Sequence, residues 1–156
     1  QSTVNKLNYL NSDCNISTSI IDPNFFNILS NSVDCKPTTG FAAIFDILSF
    51  KPKNLYITGF SFFLGPPLSG YWGGSDPGGI EDEWGRSEKE HADVVFNSTR
   101  HVHKNMWKVF KEEYSRIECI QLDPILKKII SLEKYSKEGY NNIISEFKNE
   151  KSKLTS

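Results

Sequence analysis

Between Ser61 and Gly85 the chain reads SFFLGPPLSGYWGGSDPGGIEDEWG, a stretch that holds most of its 10 glycines together with Pro66, Pro67 and Pro77. Residues with such extreme backbone preferences break any helix or strand. The fold must therefore be assembled from the patterned sequence on either side. The segment also holds Tyr71, Trp72 and Trp84, which are too many large aromatics for an inert linker, so it is expected to be a functional loop.

On the N-terminal side, Asp22-Pro23 combines a capping carboxylate with a residue suited to the first helical turn, and Phe25, Phe26, Ile28 and Leu29 follow. These signals predict a helix over 22–31. Phe41, Ile44, Phe45 and Leu48 recur at offsets of three, four and seven, predicting a second, buried helix that ends near Lys51-Pro52. Leu55 to Phe60 is short, apolar and bounded by turn residues, as a buried strand would be. On the C-terminal side the helical spacing of Val102, Met106, Val109 and Phe110 precedes a strand-like Ile117 to Leu122. Asp123-Pro124 repeats the cap-and-proline signal before Ile125, Leu126, Ile129 and Ile130, and Tyr140, Ile143, Ile144 and Phe147 form a last helical face. Helix followed by strand on both sides of the loop predicts an α/β fold. Residues 1–17 and 150–156 lack sustained patterning and are expected to be loosely ordered.

At 156 residues the chain has room for one domain. Its 18 basic and 19 acidic side chains give a net charge of −1, which argues against nucleic acid as a partner. No run approaches the roughly 18 apolar residues of a membrane span, and QSTVNKLNYLNSDCN lacks the order of a signal peptide. Cys14, Cys35 and Cys119 include no Cys-x-x-Cys pair and do not fix a redox compartment.

Pro37-Thr38-Thr39-Gly40 stands where the second helix begins. First-turn amides lack intrahelical partners and the helix dipole makes that end positive, so an anion fits there. Gly40 leaves room for close approach, and Thr38 or Thr39 adds a hydroxyl; the same residues also make an ordinary threonine cap. Gly59 and Phe60 close the predicted strand, at the edge where ligands of open α/β sheets bind. Tyr71 and Trp72 are candidates to stack on a sugar or base, or to plug a core edge. Among His91, His101 and His103, the latter two stand at the start of a helix and are candidates for a general base. They have no third partner at zinc-ligand spacing. Glu81, Asp82 and Glu83, with Glu88 and Glu90, are either solvated loop charge or ligands for a divalent metal bridging a diphosphate.

In this order the segments resemble the second half of animal-type sialyltransferases, glycosyltransferase family 29. Pro37-Thr38-Thr39-Gly40, a helical run, then Leu55-Tyr56-Ile57-Thr58-Gly59-Phe60 resembles the short sialyl motif. Asp22-Pro23-Asn24-Phe25 is similar to the segment preceding it, Tyr71-Trp72 falls at the third motif, and His101 falls at the histidine of the very short motif, with His103 as the alternative. The resemblance spans roughly residues 20–115. Three features depart from the family: Ser49 to Pro52 offers no cysteine before the strand, Asn105 or Met106 replaces the glutamate expected after the histidine, and the large sialyl motif is absent.

The resemblance implies a Rossmann-like variant of the glycosyltransferase A fold, with residues 1–156 as the C-terminal portion of a single catalytic domain. It implies inverting transfer of sialic acid from CMP-sialic acid to a glycan hydroxyl, with no metal or other cofactor. Thr38, Thr39, Gly40, Gly59 and Phe60 would hold the donor, and His101 would be the base. Typical eukaryotic members sit in the Golgi lumen behind an N-terminal membrane anchor; for a chain that is not such a member the expected setting is soluble and cytoplasmic. Competing expectations are a metal-dependent transferase using Glu81, Asp82 and Glu83, and a glycan-binding relative without catalysis.

Overall fold

The computed structural model describes residues 21–65, 93–94 and 96–154. Tyr71, Trp72, His91, the acidic cluster from Glu81 to Glu90 and the N-terminal residues 1–17 lie outside them.

Helix α1 spans Pro23–Val33 and starts as its sequence predicts, with the Asp22 carboxylate accepting from the Asn24 amide at 2.7 Å. It ends two residues later than expected, where Asp34 adopts a left-handed φ of 50°. Helix α2, Thr39–Ser49, buries Phe41, Ala42 and Ile44. The Phe50 and Lys51 amides fold back onto the Ile47 and Leu48 carbonyls just ahead of Pro52, so the chain leaves the helix where proline requires. Strand β1, Leu55–Ile57, then leads towards the glycine-rich segment.

After that segment come α3, His103–Tyr114; β2, Ile120–Leu122; α4, Pro124–Ser131; and α5, Lys137–Leu154. The strands pair in parallel, with Leu55 opposite Ile120 and Ile57 opposite Leu122. Parallel pairing requires the long crossover that the chain between them supplies. The described residues thus form a mixed α/β fold of five helices and a two-stranded parallel sheet. No helix among them is long and apolar enough to cross a membrane.

The core joins Val33 of α1, Phe41 of α2, Met106 and Phe110 of α3, and Leu126 and Ile129 of α4, all buried. Rings run through it in sequence: Phe41 lies 4.8 Å from Phe45, Phe45 6.5 Å from Phe110, and Phe110 5.5 Å from Phe62. Aromatic pairs at these separations add to the burial of their surface. The Trp107 indole N–H is satisfied by the Ile129 carbonyl at 3.0 Å, tying α3 to α4.

Three expectations need correction. The strands cover three residues each rather than six: β1 stops short of Gly59, which turns to a φ of 70°, and β2 starts late because the Arg116 and Ile117 amides still fold back onto the Glu113 carbonyl at the end of α3. The strand read as buried has one wet face: Ile57 is buried, but Tyr56 is 62% exposed because side chains alternate across the sheet. The chain after Asn149 continues as helix to Leu154 rather than fraying; Glu150, Lys151 and Lys153 are good helix formers, and the lysines suit the negative end of the dipole.

Candidate functional site

The first component is the start of α2. Pro37 is buried and fixes the approach of the chain, while Thr38 caps the helix, its hydroxyl accepting from the Phe41 amide at 3.4 Å. Beneath it the Met106 sulfur accepts from the Thr38 amide at 3.5 Å and its hydroxyl at 3.9 Å. Both functions of the Thr38 hydroxyl are therefore engaged within the protein, which leaves Thr39 as the hydroxyl open to a ligand. Thr39 and Gly40 are exposed, and their amides belong to the first turn, where the helix offers no acceptor.

The second component is the end of β1. Gly59 was expected to leave space for a ligand, and a Cβ there would meet nothing within 4 Å. Its amide nonetheless has a partner in the protein, donating to Asp123 Oδ2 at 3.0 Å. Asp123 Oδ1 meanwhile accepts from the Ile125 and Leu126 amides at 2.8 and 2.9 Å, capping α4. One carboxylate thus joins the end of β1 to the start of α4, an arrangement that the Asp-Pro signal alone does not reveal. Phe60 then lies against α2: a Cβ on Gly40 would stand 3.2 Å from its ring. The close neighbour of Gly40 is thus the Phe60 ring, which would have to give by a few tenths of an ångström to admit a side chain there.

The third component is the segment before α3. The Lys36 amide donates to the Arg100 carbonyl at 3.1 Å, and His101 Nδ1 lies 2.7 Å from the Lys36 carbonyl. The His101 amide donates to Ser98 Oγ at 3.1 Å, so both backbone and ring of this half-buried residue are fixed. Asn105 adds a bond from its side-chain amide to the Val33 carbonyl at 2.9 Å. The imidazole is consequently held beside the turn that begins α2. Lys36 and Arg100 are exposed there and supply positive charge.

His103, the alternative base, is in a different setting. It is only 4% exposed, with its ring 4.4 Å from Phe63 and 6.4 Å from His101. Of the two histidines, His101 is the more accessible. Phe62 and Phe63 take left-handed φ values of 51° and 57°, unusual for bulky side chains, and the Tyr135 hydroxyl secures the pair by donating to the Phe62 carbonyl at 2.6 Å.

The structure thus brings Thr38, Thr39, Gly40, Phe60 and His101 into one neighbourhood; Gly59 adjoins it next to Phe60, with its amide bonded to Asp123. Sequence reading gave no part to Lys36 or Ser98, and it found Met106 only as a helical-face residue and Asp123 only as a cap; the contacts of Met106 with Thr38 and of Asp123 with Gly59 span long stretches of chain, and Lys36 acts through its backbone. An open depression of about 460 Å³, lined by Ser30, Asn31, Asp34, Cys35 and Lys36, shares Lys36 with this neighbourhood. Burial pushes the Cys35 thiol above its ordinary value, so it is not primed as a nucleophile. Cys35 and Cys119 are free thiols. Among the described residues no group of three or more His, Cys, Asp or Glu side chains is placed to hold a metal. No protein-family model, curated protein or solved structure matches the chain.

Proposed function

We propose that the chain is part of a sialyltransferase-like glycosyltransferase, with a Rossmann-like variant of the glycosyltransferase A fold, that moves sialic acid from CMP-sialic acid to a glycan hydroxyl. The observation that carries this reading is the meeting of an exposed helix start with an oriented imidazole. Lys36, whose carbonyl faces His101, stands two residues before the cap Thr38.

The chemistry asks for those two elements. The amides of Thr39 and Gly40 and the positive end of α2 would bind the donor's phosphate or carboxylate, with Lys36 and Arg100 adding charge. Fixed amide dipoles favour the charge that gathers on the departing CMP phosphate. His101 would take the proton of the acceptor hydroxyl as its oxygen bonds to the anomeric carbon, while the bond from that carbon to the phosphate oxygen breaks and its electron pair leaves with CMP. Phe60 and the end of β1 would border the donor at the carboxyl edge of the sheet.

The test is transfer from CMP-sialic acid by the gene product, with and without His101→Ala. Loss of about 100-fold or more in turnover is expected on removing a general base. Undiminished transfer would remove His101 from that role, and failure to bind any cytidine nucleotide would remove the reading itself. Turnover abolished by EDTA would instead favour the metal-dependent alternative.

A further inference from the structure

We infer that the fold holds His101 in the Nδ1–H tautomer, leaving Nε2 as its only proton-accepting atom, and that the Lys36 carbonyl and Ser98 are the positioning groups that do so. This rests on the proposed transferase reading for its consequence, but on geometry alone for its substance.

A carbonyl oxygen can only accept. The 2.7 Å contact between His101 Nδ1 and the Lys36 carbonyl therefore requires the proton on Nδ1. A neutral imidazole carries one ring proton, so the lone pair available for chemistry is on Nε2. An unconstrained histidine side chain favours the opposite tautomer, which makes the lock a measurable departure. The acceptor is itself fixed, because the Lys36 amide donates to the Arg100 carbonyl at 3.1 Å and Pro37 follows, buried. Ser98 Oγ, accepting from the His101 amide at 3.1 Å, holds the other end of the residue. When Nε2 takes a proton the Nδ1–H bond persists, so the ring gains charge without turning. The Lys36 carbonyl then has the orienting role of the acceptor behind a catalytic imidazole.

Two measurements on the chain decide the matter. In histidine labelled with ¹⁵N, long-range proton–nitrogen correlation above the histidine titration range should show His101 with a protonated Nδ1 and a bare Nε2. The signals are assigned by their loss in His101→Asn. An Nε2–H tautomer, or an average of the two forms, overturns the inference whether or not the protein transfers sugar.

The second measurement uses two amides as atom-by-atom substitutes. His101→Asn places an N–H near the position of Nδ1, so it should melt close to the native protein while losing transfer from CMP-sialic acid by about 100-fold or more. His101→Gln places its amide near Nε2 and forfeits the Lys36 bond, so it should melt lower than His101→Asn. The reverse order of melting temperatures would show that the Lys36 bond is not what holds the residue. Absence of transfer by the native protein alongside the expected tautomer would overturn the transferase reading and leave the lock standing.

Discussion

Helices α2 and α4 both begin near the end of β1, the first through contact of Gly40 with Phe60 and the second through the bond from Gly59 to Asp123, yet their exposed amides meet different partners. At α4 a carboxylate takes the Ile125 and Leu126 amides on one oxygen and Gly59 on the other. At α2 a neutral hydroxyl takes the Phe41 amide alone, and Thr39 and Gly40 remain exposed. An anion approaching α4 would meet the charge of Asp123. Approaching α2, it would meet open amides flanked by Lys36 and Arg100. Similar starting signals, a capping residue beside a proline, thus produce one start closed by its own carboxylate and one capped by a neutral hydroxyl, with Thr39 and Gly40 exposed, where the proposed donor anion would bind.

Breaking the closed start should have the largest effect. Asp123→Ala removes three hydrogen bonds made to a carboxylate, and a cost of about 2–3 kcal/mol is expected from the loss of the cap and of charge-assisted bonds. Urea denaturation measures it, and hydrogen exchange at Gly59 should accelerate. A cost below about 0.5 kcal/mol would mean that the carboxylate does not join the two segments. Because Gly59 precedes Phe60, the same variant should also weaken binding of CMP where the proposed donor site lies.

Making the open start resemble the closed one sharpens the contrast. Thr38→Asp retains a capping oxygen and should change stability by less than about 1 kcal/mol, since an acid at a helix start is favourable. It should also weaken CMP binding by about tenfold, near 1.4 kcal/mol, because a negative charge then occupies the proposed anion site. Calorimetric titration with CMP reads this directly. Equal binding by the native protein and the variant would place the anion elsewhere. Thr38→Ala, by contrast, should cost about 1 kcal/mol of stability without adding charge.

The contrast also marks what could be read from the chain. Asp22-Pro23 and Asp123-Pro124 announce their helices because capping and proline preferences act within a few residues, and both helices begin where those signals place them. Thr38 is legible as a cap for the same reason. The second oxygen of Asp123 is not, since its partner lies 64 positions away, and neither is the Met106 sulfur, 68 positions from Thr38. His101 could be selected as a residue type, but the carbonyl that orients it belongs to the backbone, which has no side-chain signature. Phe62 and Phe63 carry the weakest signal of all. Their left-handed backbone favours glycine in general, and here packing and Tyr135 impose it on two phenylalanines.

That last fastening supports the smallest of the predicted effects, and pH reveals it. Tyr135 donates to the Phe62 carbonyl at 2.6 Å, and burial raises its phenol well above the ordinary value of 10.0. The hydrogen bond acts in the same direction, because only the protonated phenol can donate it. The unfolded chain therefore releases this proton first as the solution becomes alkaline. Stability that is fully present below pH 10.0 should fall as pH rises through the window between the unfolded and folded values. Tyr135→Phe should cost roughly 0.5–1 kcal/mol near neutrality, the net value of one hydrogen bond, and should flatten the alkaline decline. Tyr140, whose phenol is also raised by burial, should leave a smaller residual slope in the variant. Chemical denaturation of both proteins at about pH 8 and about pH 11, on either side of the ordinary tyrosine value, separates the two terms. Parallel declines would mean that the Phe62–Phe63 turn holds its left-handed backbone without help from the phenol, and that packing against Phe110 and His103 is sufficient.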